Sequence, residues 1–228
     1  MKFNQPVKPL LAAGAALVAA VLFAAPLQAA ETAPLTLDLP LKTLKGTPED
    51  LPSGPNIEPL SDDPPPALEV PKGVVNVAAG KPVTSSVAPY LGDLKQITDG
   101  KKEPLDDDAV EFRRGTQWVQ IDLGQSYEIH ALAVWHDHRY FQVIYDVILQ
   151  VSDDPEFKTG VTTLYNTDAD NSSGQGVGTD REYFQSRFGR AIPAKGVKAR
   201  YVRGYSRGSN QTGLNAWQEI EVYALPAK

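Results

Sequence analysis

Residues 116–136 read TQWVQIDLGQSYEIHALAVWH, and the alternation inside this stretch decides the fold class. Trp118, Gln120 and Asp122 alternate with Val119, Ile121 and Leu123, the period of two that puts successive side chains on opposite faces of a strand. Gly124 to Ser126 offers a short turn. From Tyr127 to His136 the alternation resumes, setting Ile129, Ala131, Ala133 and Trp135 against His130, Leu132, Val134 and His136. The reading is a hairpin of two strands joined by LGQS, the second apolar on both faces. Such a hairpin leaves edges and an apolar face that further strands must cover.

The later chain supplies those strands. Val147, Leu149 and Val151 alternate with Asp146, Ile148, Gln150 and Ser152, and SDDPEF ends that run with turn chemistry. Val161–Asn166, Arg200–Ser206 and Glu219–Tyr223 read as strands, with a first strand near Pro82–Ser85, while Tyr183–Ala194 carries a weaker pattern. Between them, residues 166–181 are rich in glycine, serine and aspartate with no apolar period, and predict a long exposed loop of the kind that often carries function. Nowhere is there an amphipathic helix. Short strands separated by turn signals predict an all-β, antiparallel sandwich or barrel.

The flanks have a different composition. Residues 1–30 carry Lys2 and Lys8, an apolar run from Leu10 to Ala25 and a small-residue end, the order of a signal peptide cleaved near Ala29 or Ala30. The run is short for a membrane span, and export to the periplasm or beyond is the expectation. Residues 31–72 are proline-rich, ending in SDDPPPALEVP, and are expected to form a disordered linker. The folded domain is then expected at 73–226. Lys and Arg number 22 against 28 Asp and Glu, a net charge of −6 with no basic excess to draw nucleic acid or anionic membrane. There is no cysteine, so disulfides, thiolate metal sites and cysteine nucleophiles are excluded.

NVAAGKPVTSS, ITDG, TQWVQIDLG, YEIHALAVW, VILQVSDDPEF, ARYVRGYS and NAWQEIEVYAL occur in an order that resembles discoidin domains, also called coagulation factor 5/8 type C domains. These galactose-binding-like domains overlap with family 32 of the carbohydrate-binding modules. The resemblance spans roughly Val74 to Leu225. It implies an eight-stranded jelly-roll β-sandwich with ligand loops at one end, and a domain that binds and does not catalyse. Gly204 departs from the family pattern, which has a large apolar residue there, so the packing must differ or a bulge must intervene. The resemblance also implies a structural Ca2+ at Asp99 of ITDG and Glu219 of QEIEVY, with carbonyls completing an oxygen shell. Asp106, Asp107 and Asp108 are further carboxylates on that loop, or simply a solvated acidic stretch.

Three clusters carry recognition chemistry. In WHDHRYF, His136, His138, Arg139 and Tyr140 combine planar hydrogen-bonding groups with an aromatic face, as sugar recognition requires. Two histidines beside Asp137 make only half a zinc shell. Structural hydrogen bonding at a strand end is the plain alternative. The second cluster, residues 203–217, offers Arg207, Asn210 and Asn215 as exposed-type polar residues together with Trp217, or else a polar connection with Trp217 packed inward. In the third, Asp168, Asp170 and Asn171 could hold a weak cation, although the glutamate that closes an EF-hand loop is missing. No nucleophile elbow or catalytic metal motif occurs. The expectation is a non-catalytic module that recognises a glycan or cell-surface polysaccharide, with an adhesion module for a protein partner as the alternative.

Overall fold

A computed structural model of the chain describes residues 1–2, 31–42, 46, 49–103 and 109–226. Apart from its first two residues the expected leader lies outside the described residues, as do Asp106, Asp107 and Asp108. The strands are β1 (Thr32–Pro34), β2 (Glu69–Pro71), β3 (Val75–Asn76), β4 (Val83–Ser85), β5 (Val110–Phe112), β6 (Gln117–His136), β7 (Ile148–Ser152), β8 (Thr162–Asn166), β9 (Arg190–Ser206) and β10 (Asn215–Ala224). Among the described residues the one helix is a 3-10 turn at Leu94–Thr98, and no helix is long and apolar enough to cross a membrane. The expected all-β antiparallel sandwich is present, with β3 to β10 as its eight core strands.

The decisive stretch is one strand rather than a hairpin. β6 runs for 20 residues beside the 17-residue β9, antiparallel along nearly its whole length. The pair bends as a ribbon where the register slips between Asp122 and Tyr127. Gly124, at φ 86°, makes the bend, and Asp122 pins it by accepting from the Gly124 amide at 2.8 Å and from Arg200 at 2.7 and 2.8 Å. LGQS is therefore a corner between layers. The first half of β6 pairs β4 and the end of β9, which continues to β7 and β8. The second half pairs β10 and the beginning of β9, and β10 carries β3 and β5.

Two bulges decide which side chains enter the core. A register shift between Ile129 and Ala131 lets Ile129, Leu132 and Val134 all face inward, with His136 following at the same parity, whereas unbroken alternation would separate Ile129 from Leu132. A second shift between Trp217 and Glu219 turns Trp217, Ile220 and Val222 inward and leaves Glu219, Glu221 and Tyr223 outside. Trp217 then fills the space above Gly204, where a Cβ would come within 2.7 Å of the indole. Packing, not a bulge, explains the missing large residue there: Gly204 pairs with Val119 and Leu149 in unbroken ladders.

The proline-rich stretch differs from the expected free linker. β1 and β2 pair with each other, and Leu35, Leu37, Leu68 and Val70 pack on Ala131, Ala133, Trp135 and Tyr223, the outer face of the second layer. Farther along, Glu58 N donates to the Glu182 carbonyl at 2.8 Å, and Arg190 grips the Glu58 carboxylate at 3.0 and 2.5 Å. Proline blocks a continuous ladder but not burial of the leucines between prolines. The described parts of this stretch, residues 31–42 and 49–72, form a strap across the sheet.

Candidate functional site

Because the ribbon doubles back, β6 begins and ends at the same end of the sandwich. Ser206, the partner of Gln117, donates to Asn215 at 2.8 Å, and Trp217, the partner of His136, lies over Gly204. Four loops gather there: 113–116, 137–147, 167–182 and 207–214. Asn215 is buried at their root, its amide donating to the carbonyls of Arg113 and Gly115 at 2.9 and 3.0 Å while its oxygen also accepts from Gly208 N. Asn210 accepts from Val143 N at 2.8 Å, and Arg207 N donates to the Tyr145 carbonyl at 2.9 Å, joining the second and fourth loops.

The third loop is held just as firmly. The Asp168 carboxylate is buried and accepts from the amides of Ser172 and Ser173, while both serine hydroxyls donate to one oxygen of Asp146 at 2.8 Å. Asp146 itself sits at φ 53°, a strained position for a residue with a side chain. Thr116 shares a hydrogen bond with Ser173 at 3.1 Å, and Arg207 stands 4.0 Å from the same Asp146 oxygen with 48% of its side chain exposed. Glu182 lies half-buried nearby, pushed up to about 7 by burial and by the negative charge of Asp146. The result is a polar surface in which hydrogen bonds join Asp146, Ser172, Ser173 and Thr116, with the half-exposed Arg207 guanidinium beside them.

The sequence-predicted residues divide sharply. His136 and Trp217 are both 0% exposed and stack on each other at 4.3 Å between ring centroids. Burial drives the His136 imidazole down to about 3, against a smaller opposing contribution from Gln185, so it is neutral at physiological pH. His138 is also buried and lowered by desolvation, its Nε2 bonded to the Lys102 carbonyl at 2.8 Å. These three side chains are walls of the fold, buried away from the surface where a ligand would dock. Arg139 is paired with Asp137 at 2.7 Å, and the Asn210 oxygen is spent on Val143. Tyr140, 41% exposed, and Arg207 remain open to solvent. Asp168 accepts from two amides of its own loop.

Asp99 and Glu219 are brought together by the loop after the 3-10 helix. Gly100 N donates to Glu219 Oε2 at 3.1 Å, while Glu219 Oε1 is buried with no hydrogen-bond partner. Burial first, then the charges of Glu221 and Asp99, push this carboxyl up to about 9. An orphaned, buried carboxylate oxygen beside a second carboxylate fits a hard divalent cation. Among the described residues no three His, Cys, Asp or Glu side chains converge on one point, so backbone oxygens would have to complete the shell. The neighbouring Lys102 ammonium is already engaged by Glu221 at 2.7 Å and by the Asp38 carbonyl at 2.9 Å.

No family model matches the chain, and no curated protein does. Similar solved structures include a CBM32 of AlyQ in complex with 4,5-unsaturated mannuronic acid, 17% identical over 62% of this chain and 92% of that one, with a TM-score of 0.45. A fucose-binding module of Streptococcus pneumoniae, SpX-3, is 18% identical over 67% of this chain and 99% of its own, with a TM-score of 0.48. Chitosan-binding module 1 from a chitosanase/glucanase of Paenibacillus sp. IK-5 is 22% identical, covering 66% and 99%, with a TM-score of 0.43. The likeness is one of fold.

Proposed function

We propose that the chain is a secreted or periplasmic, non-catalytic module that binds carbohydrate through the loops at the Gln117 and His136 end of the sandwich. The observation that carries this reading is the exposed Arg207 guanidinium facing Asp146, whose other contacts come from Ser172 and Ser173. Donor and acceptor stand side by side on loops already locked by hydrogen bonds, so little conformational freedom is lost when a sugar hydroxyl pair docks. Tyr140 offers an exposed ring on the adjoining loop for the apolar face of a pyranose. Asp146 and Asp168 are committed to hydroxyls and amides, which suits a rigid recognition surface better than a pair of carboxylates exchanging protons.

A glycan array with the wild-type chain and Arg207→Ala tests the reading. Binding by the wild type that falls at least ~10-fold in the variant, a loss of about 1.4 kcal/mol, is expected for one charge-assisted contact. Absence of binding to every glycan would sink the carbohydrate reading in favour of a protein partner.

We further propose that Glu219 and Asp99 hold a structural Ca2+, which would neutralise the buried carboxylate and brace the loop beneath the strap. Millimolar CaCl2 should raise Tm by several degrees relative to chelator, since saturation at 100 times Kd adds about 2.7 kcal/mol. Glu219→Gln should abolish the difference. Equal Tm values for the wild type in calcium and in chelator would remove the metal from this site.

A further inference from the structure

The strap and the sandwich line an open cleft of about 460 Å3 between them. None of Arg207, Asp146, Ser172 or Tyr140 lines it, so it is separate from the loop-end surface. Glu58, Ser61 and Pro65 come from the strap; Tyr183, Ser186 and Arg190 come from the sandwich. Its volume falls in the range that encloses small organic ligands.

Both walls are tied together. Glu182 N donates to the Asn56 carbonyl at 2.9 Å and Glu58 N returns to the Glu182 carbonyl at 2.8 Å, a short ladder between strap and domain. Arg190 lies over the Tyr183 ring at 4.7 Å and donates to both Glu58 oxygens. A gap left by loose packing would not be spanned by a bidentate ion pair and two backbone hydrogen bonds.

The lining chemistry narrows the ligand. Pro64, Pro65 and Pro66 present apolar ring faces with no N–H to satisfy. Ser61 Oγ accepts from Asp63 N at 3.1 Å and Ser186 Oγ accepts from Phe188 N at 3.3 Å, so each wall keeps a hydroxyl proton to donate. The Tyr183 ring, with Arg190 over its face, adds an aromatic surface to the sandwich wall. Arg190 is neutralised by Glu58, and Asp63 adds a further carboxylate, which disfavours an anion. Apolar ring faces opposite paired donors and acceptors match a pyranose with one C–H face and several hydroxyls.

We propose that this seam is a second binding site, taking a neutral pyranose unit of a saccharide and clamping the strap as it does so. The test is amide NMR on the whole chain, titrated separately with galactose, N-acetylglucosamine and glucuronate. The amides of Ser61, Ser186 and Gly189 should shift with a neutral sugar at a Kd of about 1–10 mM and stay still with glucuronate. Ser186→Trp and Ser61→Trp, one on each wall, should each weaken those shifts at least ~10-fold while the amides of Arg207 and Ser172 respond as in the wild type. A misfolded Ser186→Trp leaves Ser61→Trp, on the strap, to decide. The proposal is overturned if neutral sugars leave the seam amides unmoved to ~50 mM, if glucuronate binds as tightly, or if the tryptophans change nothing. Shifts at Arg207 and Ser172 report the loop-end site independently, so either site can fail alone.

Discussion

Gly204 and His136 show how a single position depends on its facing layer. With Trp217 lying against Gly204, Gly204→Ala must displace an indole and Leu149, whose Cδ2 would be 3.2 Å from the new methyl. The expected cost is about 1–3 kcal/mol, read as a lower urea midpoint at unchanged m-value. His136 has a pH signature. Its folded pKa, about 3, lies below the ordinary 6.5, so between these values the unfolded chain binds a proton that the folded chain refuses. Stability from this group is complete above pH 6.5 and drains as pH falls, by at most about 1.4 kcal/mol per pH unit. His136→Gln should flatten the decline between pH 6.5 and 4 in urea melts. A slope identical to the wild type's would mean that the imidazole is accessible to protons in the folded state. The sequence displayed His136 as a recognition residue because its neighbours are aromatic and charged. What it could not display is the bulge after Ile129, which brings Ile129 onto the face that Leu132, Val134 and His136 already share and so marks that face as the core.

At the scale of elements, alternation was readable and connection was not. The apolar periods of QWVQIDL and ALAVW each marked extended chain correctly, but a glycine turn looks the same in a hairpin as in a strand that bends from one layer to the other. The distinction lies in pairing: both halves of β6 hydrogen-bond to β9, whose partner residues lie 56 to 89 positions farther along the sequence, and not to each other. The bend depends on Asp122 and Arg200, one from each long strand. Arg200 holds the Asp122 carboxyl below its usual value, so the pair contributes above the ordinary aspartate range and fades as the carboxyl takes up a proton. Both side chains are more than a third exposed, and screening limits the effect. Arg200→Gln should lower stability slightly at pH 7, and the difference from the wild type should shrink as the pH falls through the lowered Asp122 value and the carboxyl takes up its proton. An effect that does not shrink in acid would assign the role of Arg200 to its stacking on Tyr201 instead. The loop-end site was legible only as loops: Arg207 and Tyr140 stood out by type, whereas Asp146, Ser172, Ser173 and Thr116 converge from three separate segments with no shared motif.

For the molecule as a whole, the strap changes what counts as the folding unit. Leu35, Leu37, Leu39 and Leu41 alternate through LTLDLPL, a period of two obscured by the prolines around it. The first two of those leucines, with Leu68 and Val70, cover a sheet face built from Ala131, Ala133, Trp135 and Tyr223. Beneath the same cover lies Lys102, its ammonium over the Trp135 ring at 4.9 Å, paired with Glu221 and bonded to the Asp38 carbonyl. Removing residues 31–68 therefore does two things. It bares an apolar face on the second layer, and it takes one hydrogen-bond partner from a buried ion pair whose charges then meet water unevenly. Burial of each leucine or valine contributes about 1.5–3 kcal/mol, so a chain beginning at Glu69 should lose on the order of 10 °C in Tm. It should also bind a hydrophobic dye and self-associate, because β2 loses its partner β1 and the face beneath loses its cover. A truncated chain that stays monomeric with the full-length Tm would show that the sandwich is complete without its strap. Adding the missing segment as a peptide separates the two consequences: restored Tm without a covalent link would demonstrate that the face recognises this sequence, and that the strap acts through docking rather than through its tether.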